Sequence, residues 1–256
     1  MKVDNIIRFK QRLNIGVLGC FAKTIDSSFV EAIGYAGLDF VILDMEHGPV
    51  GFETLKHMIT AAENSSLIPV VRLSGYKNNE IGKALDLGAV GIQIPSISLK
   101  KEAEEIVSLS KFFPDGNRGV CRFVRAAHFG IMDRSDYFKQ SNETLIVLQL
   151  EGKQGLKNFD EIVSVNGIDI IFIGPYDLSQ SLGVPGKIEH PLVLKEIEVL
   201  IKKADKQGVI LGTFCDTFEQ LRNWKALGIK YLAYSVDVNI FIEQLLQVKM
   251  SYKNGN

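Results

Sequence analysis

Two groups of residues in the 256-residue chain have the types and spacing to do chemistry, and both follow short runs rich in β-branched residues. The first is Asp44-Met45-Glu46-His47-Gly48-Pro49, with Arg72 near the end of the next run. The second is Gln149-Leu150-Glu151, followed by Gly174-Pro175-Tyr176-Asp177. Glu151 and Asp177 are oxygen donors which, with waters and a chelating substrate, can complete an octahedral Mg²⁺ or Mn²⁺ site. The same pair also reads as rim carboxylates held by lysines or backbone amides. No Cys/His set competes for a metal, and the Gly174-Pro175 turn, ahead of a short helix over 177–181, exposes backbone N–H groups suited to a carboxylate. His47 is a candidate general base, and Asp44, three residues earlier, is near enough to orient its imidazole. The alternative is a structural histidine bonded to Asp44. Arg72, among Val70, Val71 and Leu73, must face an anion or an oxyanion, or else pair with Asp44 or Glu46. The stretch Asn117-Arg118-Gly119-Val120-Cys121-Arg122-Phe123-Val124-Arg125 holds three arginines, of which one or more, Arg125 foremost, can close over an anionic substrate. Among the other histidines, His57 falls on a solvated helix face, His190 reads as a cap or turn residue before Pro191, and His128 is open.

Positioning these groups requires strands that end at a common rim. Eight runs qualify, at 15–21, 40–45, 69–73, 90–95, 145–151, 168–174, 209–215 and 229–236. Most are continuously apolar, as strands covered on both faces are in parallel sheets. Segments of helical period lie between them, for example Phe52, Leu55, Ile59 and Ala62. Gly37, Gly88, Gly167, Gly208 and Gly228 each precede a strand, where a helix end takes the left-handed conformation. No Gly/Ser- or Pro-rich linker divides the chain, so the pattern predicts one (β/α)8 TIM barrel over residues 1–256 rather than two doubly wound halves. Long connections at 114–143 and 176–191 are expected on the C-terminal side of strands four and six, where a barrel keeps its chemistry. No lysine is expected at a strand end.

Lys+Arg 29 against Asp+Glu 30, without a basic stretch, lacks the footprint of nucleic-acid binding. The N-terminus has no apolar core of a signal peptide, and no run of about 18 uncharged apolar residues follows, so no membrane partner is expected. Three cysteines without CxxC spacing, Cys20, Cys121 and Cys215, suit a reducing cytoplasm. A Gly-rich phosphate cradle after strands seven and eight is missing from Cys215-Asp216-Thr217 and Ser235-Val236-Asp237.

Asp44-Met45-Glu46-His47-Gly48-Pro49, Pro69-Val70-Val71-Arg72, Ala84-Leu85-Asp86-Leu87-Gly88-Ala89-Val90-Gly91, the Arg118-Gly119 loop, Gln149-Leu150-Glu151 and Gly174-Pro175-Tyr176-Asp177-Leu178-Ser179 occur in an order that resembles the HpcH/HpaI aldolase/citrate lyase family, across about 15–238. The resemblance implies a (β/α)8 barrel, a hexamer or trimer of dimers exchanging the last helix, and a divalent metal on Glu151 and Asp177. Mg²⁺ or Mn²⁺ is expected, with Co²⁺ or Zn²⁺ as alternatives. It implies a 2-oxo acid such as pyruvate or oxaloacetate chelating that metal, Arg72 on the oxo oxygen, His47 with Asp44 moving the proton and Gln149 contacting substrate or water. Gly174, Pro175, Tyr176 and Arg125 join the substrate contacts. The implied reaction is cleavage of a 4-hydroxy-2-oxo acid, of 2-keto-3-deoxy sugar acid type, to pyruvate and an aldehyde. The alternative is a siderophore-type citrate synthase joining acetyl-CoA and oxaloacetate. Met45 stands where relatives often carry a smaller residue, and the 121–125 segment is shorter than in the hydroxy-oxo-heptanedioate branch; both departures bear on substrate choice.

Overall fold

The eight apolar runs form eight parallel strands: β1 (Val17–Ala22), β2 (Phe40–Asp44), β3 (Ile68–Arg72), β4 (Gly91–Ile94), β5 (Leu145–Leu150), β6 (Ile170–Ile173), β7 (Ile210–Cys215) and β8 (Tyr231–Val236). They pair in sequence order and close as β8 against β1 into one barrel. The computed structural model describes residues 3–77 and 79–254. Helices α1 (Val3–Leu13), α2 (Ser27–Tyr35), α3 (Phe52–Asn64), α4 (Glu80–Asp86), α5 (Lys100–Ser110) and α6 (Arg134–Ser141) belong to the first half of the chain. The second half adds α7 (Lys153–Lys157), α8 (Phe159–Val163), α9 (Pro175–Ser181), α10 (Pro191–Gln207), α11 (Phe218–Ala226) and α12 (Asp237–Asn254). Every strand end lies within two residues of its sequence-based position. The five helix-to-strand glycines all have positive φ, from +70° at Gly208 to +99° at Gly88.

Each strand is buried on both faces, and successive side chains alternate between two cores. Val41, Leu43, Val71, Ile92, Ile146, Leu148 and Ile171 pack outward under the helices. Phe40, Ile42, Val70, Val147, Ile170, Phe172 and Tyr231 fill the interior. Carried two residues at a time towards the strand C-termini, the inner rows turn polar: Asp44 after Ile42, Arg72 after Val70, Gln93 after Gly91, Gln149 and Glu151 after Val147, Gly174 after Phe172. The register keeps these ends level, with Asp44 opposite Arg72 and Arg72 opposite Gln93. A period-two pattern hidden inside continuously apolar strands therefore sends the polar residues to one rim.

Two features depart from the expectation. Helix α1, which the sequence reading did not include, joins the inner core through Ile6, Phe9 and Leu13. The 114–143 connection follows α5, so it runs from a helix back to β5 and not from the end of β4. The chain turns into α5 after a connection of five residues from β4, and that helix takes up the outward crossing. The arginine-rich stretch consequently lies on the side where helices re-enter strands, opposite the polar rim. No helix among the described residues is long and apolar enough to cross a membrane.

Candidate active site

At the rim, the buried Asp44 receives Arg72 in a two-point ion pair, Nε to Oδ1 at 2.9 Å and Nη2 to Oδ2 at 2.7 Å. Arg72 Nη1 reaches Glu46 Oε2 at 3.0 Å, and its guanidinium lies 4.7 Å from the Phe21 ring centroid. Burial opposes ionisation of Asp44, but Arg72, the His47 N–H and Lys23 together outweigh it and hold the carboxyl below the ordinary aspartate range. Glu46 shifts the other way, because burial raises its pKa by more than Arg72 lowers it. Both salt-bridge partners foreseen for Arg72 are thus engaged.

The imidazole of His47 is not bonded to Asp44. Asp44 Oδ1 instead accepts the backbone N–H groups of Glu46 (3.1 Å) and His47 (3.3 Å), so the carboxylate shapes the turn that carries the histidine. His47's side chain is 62% exposed, with Nε2 3.8 Å from Glu46 Oε1. The physical reason is competition: a delocalised guanidinium presents a rigid fork that matches the carboxylate, and it occupies both oxygens.

A second chain of bonds crosses β4 and β5. Gln93 Nε2 donates to Gln149 Oε1 at 2.7 Å, Gln149 Nε2 donates in turn to Glu151 Oε2, and Ser96 Oγ donates to Glu151 Oε1 at 2.7 Å. Ser96 was missed by the sequence reading, whereas Gln93, which lies on the same inward row as Gly91, was legible as a polar end of the fourth run and was given no role there. Beside this chain Gly174 is packed so closely that a Cβ there would stand 2.9 Å from Glu151 Oε2 and 3.3 Å from Gln149 Nε2.

These groups surround a cavity of about 320 Å³ whose walls include Arg72, His47, Gln149, Gly174, Pro175, Tyr176 and Asp177. Glu151 touches two of those walls, Gln149 and Gly174. Asp177 is exposed in the first turn of α9, whose early N–H groups have no partner within the helix. Two charged wall residues were not foreseen. Asp216, just past β7, accepts the Tyr176 hydroxyl at 2.5 Å. Burial and that bond push the Tyr176 phenol up to about 12, so it stays a donor. Lys23 follows β1 directly, which corrects the expectation that no lysine stands at a strand end. Its Nζ is 3.6 Å from Asp44 Oδ2, and its backbone N–H donates to Asp237 at 3.0 Å.

Arg125 does not join the cavity. It is bound by Glu63 and by the Leu87 carbonyl at 3.0 Å, on the opposite side of the barrel. Arg118 pairs with Asp86 at 2.7 Å and Arg122 donates to the carbonyls of Gly130 and Met132, so all three arginines hold loop structure. His190 caps α10 by accepting from Leu192 N–H, and His57 and His128 are exposed. Cys20 and Cys215 are buried, and burial pushes both thiols up to about 12, which makes them poor nucleophiles.

The donor set suits a hard cation. Among the described residues no three His, Cys, Asp or Glu side chains converge as a metal cage. Glu151 and Asp177 offer oxygens from adjacent strand ends, and a cation that keeps waters and binds through one or two carboxylates plus a ligand matches that supply.

The family model for HpcH/HpaI aldolase/citrate lyase matches residues 17–244. The chain belongs to this family. It is accordingly an enzyme of the aldolase class, a lyase acting on carbon–carbon bonds. Among curated members of the family, 5-keto-4-deoxy-D-glucarate aldolases from Shigella dysenteriae and Escherichia coli O6:H1 are each 35% identical, over 88% of this chain and 87% of theirs. An HpcH/HpaI aldolase/citrate lyase family protein from Burkholderia cenocepacia J2315 superimposes with a TM-score of 0.91 at 30% identity, covering 96% of this chain and 99% of that one. The citrate synthase SbnG superimposes with a TM-score of 0.85, also at 30% identity, over 96% and 98%.

Proposed function

We propose that the chain cleaves a 4-hydroxy-2-oxo acid of the 2-keto-3-deoxy sugar acid type to pyruvate and an aldehyde, and runs the reverse addition, with a divalent cation on Glu151 and Asp177. The observation that carries the reading is the polar rim, where the Asp44–Arg72 pair and the Gln93–Gln149–Glu151 chain meet at one cavity. Mg²⁺ or Mn²⁺ bound there supplies positive charge to the 2-oxo oxygen as it becomes an oxyanion.

The remaining tasks fall to the protein. Arg72 donates to the same oxygen, and because Asp44 and Glu46 hold its guanidinium in place, little reorganisation is needed as charge develops. His47 takes the 4-hydroxyl proton through a water as the C3–C4 bond breaks, the electron pair moving towards C3 and the oxo oxygen. Asp44 assists through the His47 backbone N–H and through Arg72. The Tyr176 and Asp177 amides receive the carboxylate of the oxo acid, and Gln149 orients Glu151. The chain acts as one domain in a homo-oligomer, a hexamer or trimer of dimers with α12 exchanged. The free thiols suit a cytoplasmic setting.

The test is exchange of pyruvate methyl protons in D2O, followed by NMR. Exchange should require Mg²⁺ or Mn²⁺, vanish with chelator, and fall at least about 100-fold in Glu151→Ala. Exchange that survives complete metal removal, or a pyruvate adduct on Lys23 trapped by borohydride, would overturn the reading. The likeness to SbnG supports a second reading, citrate formation from acetyl-CoA and oxaloacetate, and incubation with both substrates separates the two.

A further inference from the structure

The cavity wall contributed by β7, β8 and β1 carries none of the groups assigned to pyruvate apart from the neighbouring rim, so it faces the aldehyde half of the substrate. Phe214, Asp216, Val236, Phe21 and Lys23 line it, with Tyr176 at its edge. The charges there are unequal. Arg72 is matched by Asp44 and Glu46, and Lys23 lies 3.6 Å from Asp44, so each cation already has a carboxylate. Asp216 has no lysine or arginine within ion-pair distance among the described residues.

The Tyr176 hydroxyl donates to Asp216 Oδ2 at 2.5 Å, and Asp216 N–H donates to Gln220 Oε1 at 2.9 Å, which holds the carboxylate at the end of β7. One phenol occupies one of the roughly four acceptor positions of a carboxylate, leaving others for hydroxyl donors. Resting on the aldolase reading above, we propose that the Asp216–Tyr176 pair selects an uncharged hydroxyaldehyde and disfavours an aldehyde that carries its own carboxylate. A second carboxylate meets Asp216 as a like charge in a half-buried wall, or must draw Lys23 away from Asp44. This separates the chain from relatives named for a glucarate, a sugar acid with a carboxylate at each end. The citrate reading, which needs a tricarboxylate, is disfavoured on the same ground.

The experiment is the aldol addition of pyruvate to glycolaldehyde and to glyoxylate, a pair close in size and differing in charge, by the metal-loaded full-length enzyme. kcat/KM for glycolaldehyde should exceed that for glyoxylate by about tenfold or more. Asp216→Asn should shrink this ratio several-fold, and Asp216→Lys should favour glyoxylate. A wild-type preference for glyoxylate, or a ratio unchanged in Asp216→Asn, overturns the proposal. Proton exchange into pyruvate needs no aldehyde: its absence sinks the aldolase reading itself, whereas exchange combined with a preference for the acidic aldehyde sinks only this inference.

Discussion

Single residues at the rim are defined by what they hold as much as by what they can touch. Gln93 is fully buried and not part of the cavity wall, yet its amide decides which way Gln149 points, and Gln149 then donates to Glu151. Partners one step removed from a metal ligand commonly control affinity by 10–100-fold. With the cation on Glu151 and Asp177 as proposed, Gln93→Ala should raise the Kd for Mn²⁺, read by electron paramagnetic resonance, by about tenfold or more, while kcat at saturating Mn²⁺ recovers most of the wild-type value. A purely structural role would lower thermal stability without moving the metal titration. Asp44 illustrates the opposite lesson. Its nearness to His47 in sequence suggested a side-chain pair, but Arg72, twenty-eight positions away, wins the carboxylate by geometry.

Secondary-structure elements set the rim through their ends. The β8–β1 closure is fastened by Asp237, at the first position of α12, whose carboxylate accepts Lys23 N–H and Thr24 N–H at 3.0 Å each and the Thr24 hydroxyl at 2.6 Å. These bonds also fix the start of the loop that carries Lys23 into the cavity. Asp237→Ala removes the charged acceptor of several part-buried hydrogen bonds, at a cost of about 1–3 kcal/mol. Thermal unfolding should shift down by about 2–4 °C per kcal/mol for a chain of this size. An unchanged melting curve would show that the closure is held by strand pairing alone. The α5 helix had the same directing effect on the arginine-rich stretch, sending it to the far side of the barrel.

At the scale of the whole molecule, α12 presents Val238, Phe241, Ile242, Leu245, Leu246 and Val248, each between 41% and 57% exposed. An apolar surface of this kind marks a protein contact, which supports the assembly proposed above. Sedimentation should give a species several times the 28.4 kDa chain, and Ile242→Glu with Leu245→Glu should move it towards a smaller one. A wild-type monomer at micromolar concentration would refute the exchanged-helix arrangement.

The eight strands, their order and their polar ends were determined by the sequence alone, because burial on both faces forces apolar runs and helix ends need glycine at set points. Glu151, Asp177, Arg72, Gln149 and His47 were legible for the same reason: each follows or closes such a run. Pairings across the barrel were not. Which carboxylate Arg72 takes, which way Gln149 turns, where Arg125 ends and that Asp216 meets Tyr176 depend on strand register and on the face to which each connection returns. Both are set by long-range contacts that no local pattern encodes. Only the closed barrel, by bringing β7 beside β6 and β8 beside β1, placed Asp216 and Lys23 on one wall of the cavity.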